Sequence, residues 1–72
     1  MKHYAVAIEK TGTGFGAYVP DLSGCVSTGC SIEETERNIR EAIEFHLDGM
    51  REDVDPVPEP ITVTMSVEIP AA

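Results

Sequence analysis

Alternation of apolar and polar residues marks two short segments near the start of the chain, residues 2–9 and 15–19. A period of two with β-branched and aromatic side chains is typical of half-buried β-strands. The Gly-rich residues 10–14 lie between the two segments and predict a tight turn, so the pair predicts a β-hairpin. The face expected to point to the core carries Tyr4, Val6, Ile8, Phe15, Ala17 and Val19.

Two further strands are predicted later in the chain. Residues 20–24 predict a turn, since Pro20 cannot donate a ladder hydrogen bond, and residues 25–28 predict a short third strand. Residues 61–69 alternate over a longer stretch and predict a fourth strand after a proline-rich extended connector. The side chains of this strand that we expect in the core are Ile61, Val63, Met65, Val67 and Ile69.

A single helix is predicted from about Ile32 to Arg51. Ser31 and Glu34 form the sequence of a capping box, and acidic residues follow in the first turns, where the helix dipole favours them. The predicted apolar stripe consists of Ile32, Ile39, Ala42, Ile43, His46, Leu47 and Met50. The predicted ion pairs on the outer face are Glu33/Arg37, Glu36/Arg40, Arg37/Glu41 and Arg40/Glu44.

The order β-β-β-α-β predicts an α+β fold, a two-layer sandwich in which one helix covers a four-stranded sheet. Short turns make the first three strands an antiparallel meander. The helix carries the chain back, so that the fourth strand can lie parallel to the first or the third. At 72 residues the chain is expected to be a single domain, 1–72, with a thin core that favours association into a homodimer or a higher homo-oligomer.

Composition narrows the range of partners. The formal net charge of −8 disfavours direct binding of nucleic acid, whose phosphates require Lys and Arg, and favours attraction of a basic protein. The sequence contains no apolar run of membrane-spanning length and no signal-peptide pattern, so we expect a cytoplasmic protein that does not bind membranes.

Catalytic and metal-binding residues are sparse, and we expect no enzyme activity and no cofactor. A metal-dependent nuclease needs several carboxylates at one place, whereas the strands offer only Glu9 and Glu68. The cysteines and histidines of the chain are Cys25, Cys30, His3 and His46. The spacing of the two cysteines matches no usual zinc pattern.

The stretch from Tyr4 to Glu9, the stretch from Gly14 to Cys25, and Gly29 before the helix resemble the HicB antitoxins of prokaryotic toxin–antitoxin pairs. Residues 42–47 of the helix and residues 58–60 before the last strand fit the same pattern. The resemblance covers essentially the whole chain and is most specific between Phe15 and Gly29. The sequence departs from the family pattern at Ser23, Cys30 and Thr35.

This resemblance implies a truncated RNase H-like fold and a HicA-like partner, a small basic toxin that cleaves mRNA. The implied function is neutralisation of that toxin by masking its RNA-binding face. Many HicB proteins carry a further DNA-binding domain, which we do not expect here because the sequence ends at Ala72. The alternative is an orphan HicB-like domain that binds a ligand or a regulator without a toxin.

Two sets of contact residues follow as predictions. The toxin interface is predicted at acidic residues and the second turn: Asp21, Leu22, Glu52, Asp53, Asp55 and Glu59. For Asp21 and Leu22, the alternative interpretation is that they belong to a turn that only positions the third strand. The oligomer interface is predicted on the open sheet face and the outer side of the last strand, at Tyr18, Thr62, Thr64 and Ser66.

Overall fold

The structure, a computed structural model, describes residues 2–71 and contains three strands and one helix. The elements are β1 (Ala7–Lys10), β2 (Phe15–Tyr18), β3 (Val26–Gly29) and α1 (Ile32–Glu52). The strands form an antiparallel sheet in the order β1-β2-β3, and α1 packs on β2 and β3. The α+β class and the meander followed by a helix are confirmed.

Two tight turns hold the meander together. In the first turn the backbone N–H of Thr11 donates to the carbonyl of Gly14 at 2.8 Å. In the second turn the N–H of Leu22 donates to the carbonyl of Val19 at 3.1 Å. Gly24 has a φ of 79° there, a left-handed conformation that glycine adopts without a steric cost. These turns fix the register in which β2 pairs with its two neighbours.

The helix begins at the predicted cap. The Ser31 side chain accepts a hydrogen bond from the backbone N–H of Glu34 at 3.0 Å. The Glu34 carboxylate reaches back to the backbone N–H of Cys30 at 2.8 Å, one residue earlier than the usual capping box. Both contacts satisfy backbone donors that a helix start leaves unpaired, so the sequence located the start of α1 correctly.

The helix ends in a Schellman motif built on a valine. The N–H of Val54 donates to the carbonyl of Arg51 at 3.1 Å, and the N–H of Asp55 donates to the carbonyl of Met50 at 2.8 Å. This pattern requires a left-handed residue after the C-cap, a place that glycine usually takes. Val54 occupies it with a φ of 57°, which is strained for a β-branched side chain.

The core lies between α1 and the sheet. The buried apolar residues are Ala17, Val19, Leu22, Cys25 and Ile39. At its edge β3 approaches the first turn of α1 closely, since a Cβ on Gly29 would lie 2.7 Å from the backbone nitrogen of Thr35. Thr35 is fully buried and donates its hydroxyl to the carbonyl of Ser31 at 2.7 Å.

The helix ion pairs form only in part. Arg40 and Glu36 are paired at 3.4 Å, and an unpredicted pair joins Arg51 to Asp48 at 3.2 Å. The other three predicted pairs are not formed in the part of the chain that the structure describes. Exposed pairs gain little free energy in water, so i,i+4 spacing alone does not hold the side chains together.

The predicted fourth strand is not confirmed, because it is not formed within the single chain. Within residues 2–71, residues 61–69 are extended but pair with no strand, and the five side chains expected in the core are 64–93% exposed. Correspondingly, the radius of gyration is 14.1 Å, against about 11 Å for a compact chain of this length. Alternation predicts that a segment has two faces, but it does not supply a neighbouring strand. We call residues 63–69 the C-terminal arm.

Candidate protein-binding surfaces

Asp21, predicted to contact a toxin, anchors the base of the C-terminal arm. Its carboxylate accepts a hydrogen bond from the Thr62 hydroxyl at 2.7 Å and from the N–H groups of Thr62 and Ile61 at 3.0 Å each. The Thr62 side-chain and backbone hydrogen bonds, with that of Ile61, hold the pKa of this carboxyl below its ordinary value of 3.8, although desolvation opposes the shift. The turn between β2 and β3 therefore fixes where the arm begins.

Leu22 lies beside Asp21 in the chain but in the core. It is 1% exposed and belongs to the buried cluster under α1. Its side chain therefore supports the turn from inside, as the alternative interpretation of this turn expects, and it is not part of an accessible surface.

Three of the other predicted contact residues gather at the end of α1. Glu52, Asp53 and Asp55 are all exposed around the Schellman motif. Glu59 lies further along and pairs with Lys2 at 3.0 Å. The structure thus separates the predicted acidic residues into a cluster at the helix end and a paired residue near the N-terminus.

An exposed aromatic residue adjoins the acidic cluster. Phe45 on α1 is 83% exposed, and it lines a shallow depression of about 430 Å³ together with Val26, Met50 and Asp53. The sequence prediction missed Phe45 as a contact residue. Its signal was a large aromatic side chain outside the apolar stripe of the helix. We call Val26, Phe45, Met50, Glu52, Asp53 and Asp55 the helix-end surface.

The residues predicted for the oligomer interface lie in two places. Thr62 is half-buried in its contact with Asp21, whereas Thr64 and Ser66 are exposed on the C-terminal arm. Tyr18 is exposed on the face of the sheet opposite Ala17. Among the described residues, no hydrogen bond joins Tyr18 to Thr64 or Ser66. The role of these residues in association stays a prediction.

A second groove lies at the free edge of β1. Its walls come from the N-terminal segment and β1 on one side and from α1 on the other, with a volume of about 460 Å³. Apolar side chains dominate it: Tyr4, Val6, Ile8, Ile39 and Ile43. Lys2, Glu36 and Arg40 also line this groove. We call this the β1 groove.

Catalytic and metal-ligating groups are dispersed. Among residues 2–71, no three side chains of His, Cys, Asp or Glu are close enough together to hold a metal ion. Cys25 is buried, which raises the pKa of its thiol, and Cys30 is exposed. Glu9 on β1 and Glu68 on the C-terminal arm are both exposed on separate elements. No helix in this part of the chain is long and apolar enough to cross a membrane.

Comparison with known sequences identifies several relatives. The chain is 43% identical over 56 residues to an uncharacterised 14.9 kDa protein from the rep-hol intergenic region of Haemophilus phage HP1, covering 78% of this chain and 42% of the phage protein. It is 54% identical over 46 residues to a UPF0150 protein of Helicobacter pylori, covering 64% of each. The chain therefore spans less than two thirds of the length of either relative.

A solved structure is also similar. A chain of a complex described as the HicA3 and HicB3 toxin-antitoxin complex superposes with a TM-score of 0.72 and 32% sequence identity, covering 83% of this chain and 70% of that one. The family model for the HicB-like antitoxin of the bacterial toxin-antitoxin system matches residues 4–71. The chain therefore belongs to the HicB-like antitoxin family.

Proposed function

We propose that this chain neutralises a small basic HicA-type toxin by binding over the toxin's RNA-binding face. Membership of the antitoxin family and similarity to a chain of a toxin-antitoxin complex support a HicA-like partner. The observation that carries the proposal is the helix-end surface, where exposed Phe45 lines the same depression as Asp53, in a chain of net charge −8.

The charge of the helix-end surface indicates which class of protein it binds. Glu52, Asp53 and Asp55 lie within four residues of one another without a basic residue among them. A protein that binds RNA presents Lys and Arg at its phosphate-contacting face. An acidic cluster attracts such a face and increases the rate of association, and its occupation by protein excludes RNA.

Phe45 supplies the apolar contact that charge alone does not. Aromatic residues at the centre of an interface contribute a large share of the binding free energy when surrounding contacts exclude water. Val26 and Met50 extend the apolar area around Phe45, while Asp53 lies at the same depression. An apolar centre with a charged rim is the usual layout of a specific protein interface.

The mechanism that we propose is occlusion in the cytoplasm, without catalysis, cofactor or direct contact with nucleic acid. The family, which acts as antitoxins, supports a regulatory role. An RNase H-like origin of the fold stays a prediction from the resemblance.

The proposal is tested with a HicA-type toxin, taken from the neighbouring gene where that gene encodes a small basic protein. Titration of the chain into an RNA-cleavage assay should abolish cleavage at one equivalent. Cleavage that persists at saturation contradicts the proposal and favours the orphan alternative, a module that binds another ligand or regulator.

A matched pair of charge variants locates the interface. The triple variant Glu52→Gln/Asp53→Asn/Asp55→Asn should weaken toxin binding about tenfold, since exposed ion pairs contribute ~0.2–1 kcal/mol each. The control Glu33→Gln/Glu41→Gln/Glu44→Gln removes the same number of charges from the exposed face of α1 and should change affinity much less. Equal losses from both variants would show that net charge alone matters.

A further inference from the structure

The C-terminal arm has the pattern of a strand and lacks a neighbouring strand. In the described range 2–71, residues 63–69 pair with no other segment, while Val63, Met65, Val67 and Ile69 lie on one alternating set of positions. These four side chains are exposed, and the intervening positions are Thr, Ser and Glu. One face of the arm is therefore apolar and uncovered.

The β1 groove has the complementary property. Within the described residues β1 pairs with β2 alone, so its other edge presents backbone groups free to pair with an added strand. The groove at that edge is walled by Tyr4, Val6 and Ile8 below and by residues of α1 above. A strand added beside β1 would place alternate side chains in this groove, between the sheet and the helix.

The segment before the arm passes one end of the groove, where the Tyr4 hydroxyl donates to the carbonyl of Pro58 at 2.6 Å and Lys2 pairs with Glu59. Asp21 then holds Ile61 and Thr62 at the turn that joins β2 to β3. No described residue of the arm lines the groove, so one chain presents the arm and the groove as unpartnered, complementary features.

We propose that two copies of this chain exchange their C-terminal arms, each arm adding a fourth strand to the β1 edge of the other copy. The apolar side chains of the arm would fill the β1 groove of the partner. Exchange of an identical element generates a closed two-fold dimer, in which both copies make both contacts. The sheet of each copy then has the four strands that its sequence pattern specifies.

The exposed area agrees with a dimer of this kind. The solvent-accessible surface is 5742 Å², about 1,400 Å² more than a compact monomer of this mass exposes. Burying that excess on two copies removes about 2,700 Å², within the range of permanent homodimer interfaces. The arm is also long enough to pair along the whole β1 edge. Its seven extended residues span about 23 Å, which equals the span of residues 4–10.

Charge argues for a second copy over a basic protein as the occupant. Residues 61–67 contain no charged side chain, and Glu68 is the single one in the C-terminal arm. Such a segment offers a basic toxin no charge to pair with, whereas two copies at −8 each can meet here with least repulsion.

The test is the mass of the 72-residue chain in solution, measured by sedimentation at about 100 µM. The wild-type chain should be a dimer. Met65→Glu, on the apolar face of the arm, should raise the dissociation constant about 100-fold or more, because each copy loses one anchor. Thr64→Glu is the matched control on the other face of the arm. The arm-exchange dimer should stay intact in this variant, whereas an oligomer interface at Thr64, as the sequence predicted, would be lost. Circular dichroism checks that both variants fold.

A second pair of variants tests the groove. Ile8→Glu should weaken dimers as Met65→Glu does. Tyr18→Glu on the opposite sheet face should leave the arm-exchange dimer intact, whereas it would disrupt an oligomer interface that includes Tyr18, as the sequence predicted. Mixing Ile8→Glu with Met65→Glu should give heterodimers held by one intact arm–groove contact, so the mixture should associate more tightly than either variant alone.

Three results would overturn the proposal. They are a monomeric wild-type chain, a Met65→Glu variant that dimerises as well as Thr64→Glu, and a mixture of the two defective variants that associates no more tightly than either variant alone. A monomeric chain whose arm is needed only for toxin binding would assign the arm to the toxin instead.

Discussion

The helix-end surface and the C-terminal arm are both exposed, but they differ in chemistry and in how the fold holds them. The helix-end surface is fixed by the hydrogen bonds of a Schellman motif and combines Phe45 with three carboxylates. The arm is held at its base by Asp21 and carries uncharged alternating side chains. Acidic character selects a basic partner, whereas an apolar strand beside an open sheet edge selects another strand.

This difference indicates that a small chain can separate two binding tasks. A surface that acts through charge works at a distance and is weakened by salt. A surface that acts through buried apolar area and backbone pairing works at contact and is not weakened by salt. The following predictions test that separation, from the largest expected effect to the smallest.

Phe45→Ala should weaken toxin binding by about 2 kcal/mol or more, roughly 30-fold, as expected for an aromatic anchor. It should leave the mass of the dimer unchanged. Isothermal titration with the toxin and sedimentation of the free chain measure the two effects. Ile32→Ala, at an exposed apolar position in the first turn of α1, is the control and should change neither toxin binding nor the mass of the dimer. A loss of dimer in Phe45→Ala would break the comparison.

Added salt should act in opposite directions on the two associations. Raising the salt concentration from about 50 to 300 mM should weaken toxin binding about tenfold and should leave self-association equal or slightly stronger, because it screens repulsion between acidic copies. Dissociation constants measured across the series give both slopes. Slopes of the same sign would mean that one surface serves both associations.

Protonation of Asp21 should release the base of the arm. The pKa of Asp21 is lower in the folded chain than its ordinary value of 3.8. The stabilisation that the Asp21 carboxylate contributes is therefore fully present above pH 3.8 and is lost as the pH falls through the lowered pKa. The amide resonances of Ile61 and Thr62 should therefore titrate below pH 3.8. In Asp21→Asn these titrations should disappear and the dimer should weaken a few-fold. An unshifted titration in the wild-type chain would refute the anchor.

Val54→Gly should raise the free energy of unfolding by ~0.5–1 kcal/mol, because glycine adopts the left-handed conformation of the Schellman motif without strain. Val54→Ala should gain less, since alanine keeps a Cβ at a φ of 57°. Thermal unfolding compares the three chains. Neither variant should alter the mass of the dimer, because residue 54 lies at the helix end.

Local signals in the sequence predicted most of the fold. The capping residues Ser31 and Glu34 located the start of α1, and Pro20 with Gly24 located the second turn. The predicted end of α1 at Arg51 is one residue short of the observed end at Glu52. These features depend on contacts between residues close in the chain, which a single sequence encodes directly.

Long-range features could not be predicted in the same way. The alternation of residues 61–69 predicted a strand, but whether such a segment pairs depends on where the connector delivers it and on a neighbouring strand, which alternation does not encode. Asp21 gave no sign that it would bond to Thr62, 41 residues away. Phe45 was missed because its position depends on which face of α1 the sheet covers, a property of packing.

The most direct test of two separate surfaces is the mass of the complex with the toxin. We expect the wild-type chain to form a complex of two chains and two toxins. Met65→Glu should form a complex of one chain and one toxin that still blocks RNA cleavage. A toxin that reduces the wild-type dimer to a one-to-one complex, or a Met65→Glu variant that no longer blocks cleavage, would contradict the account.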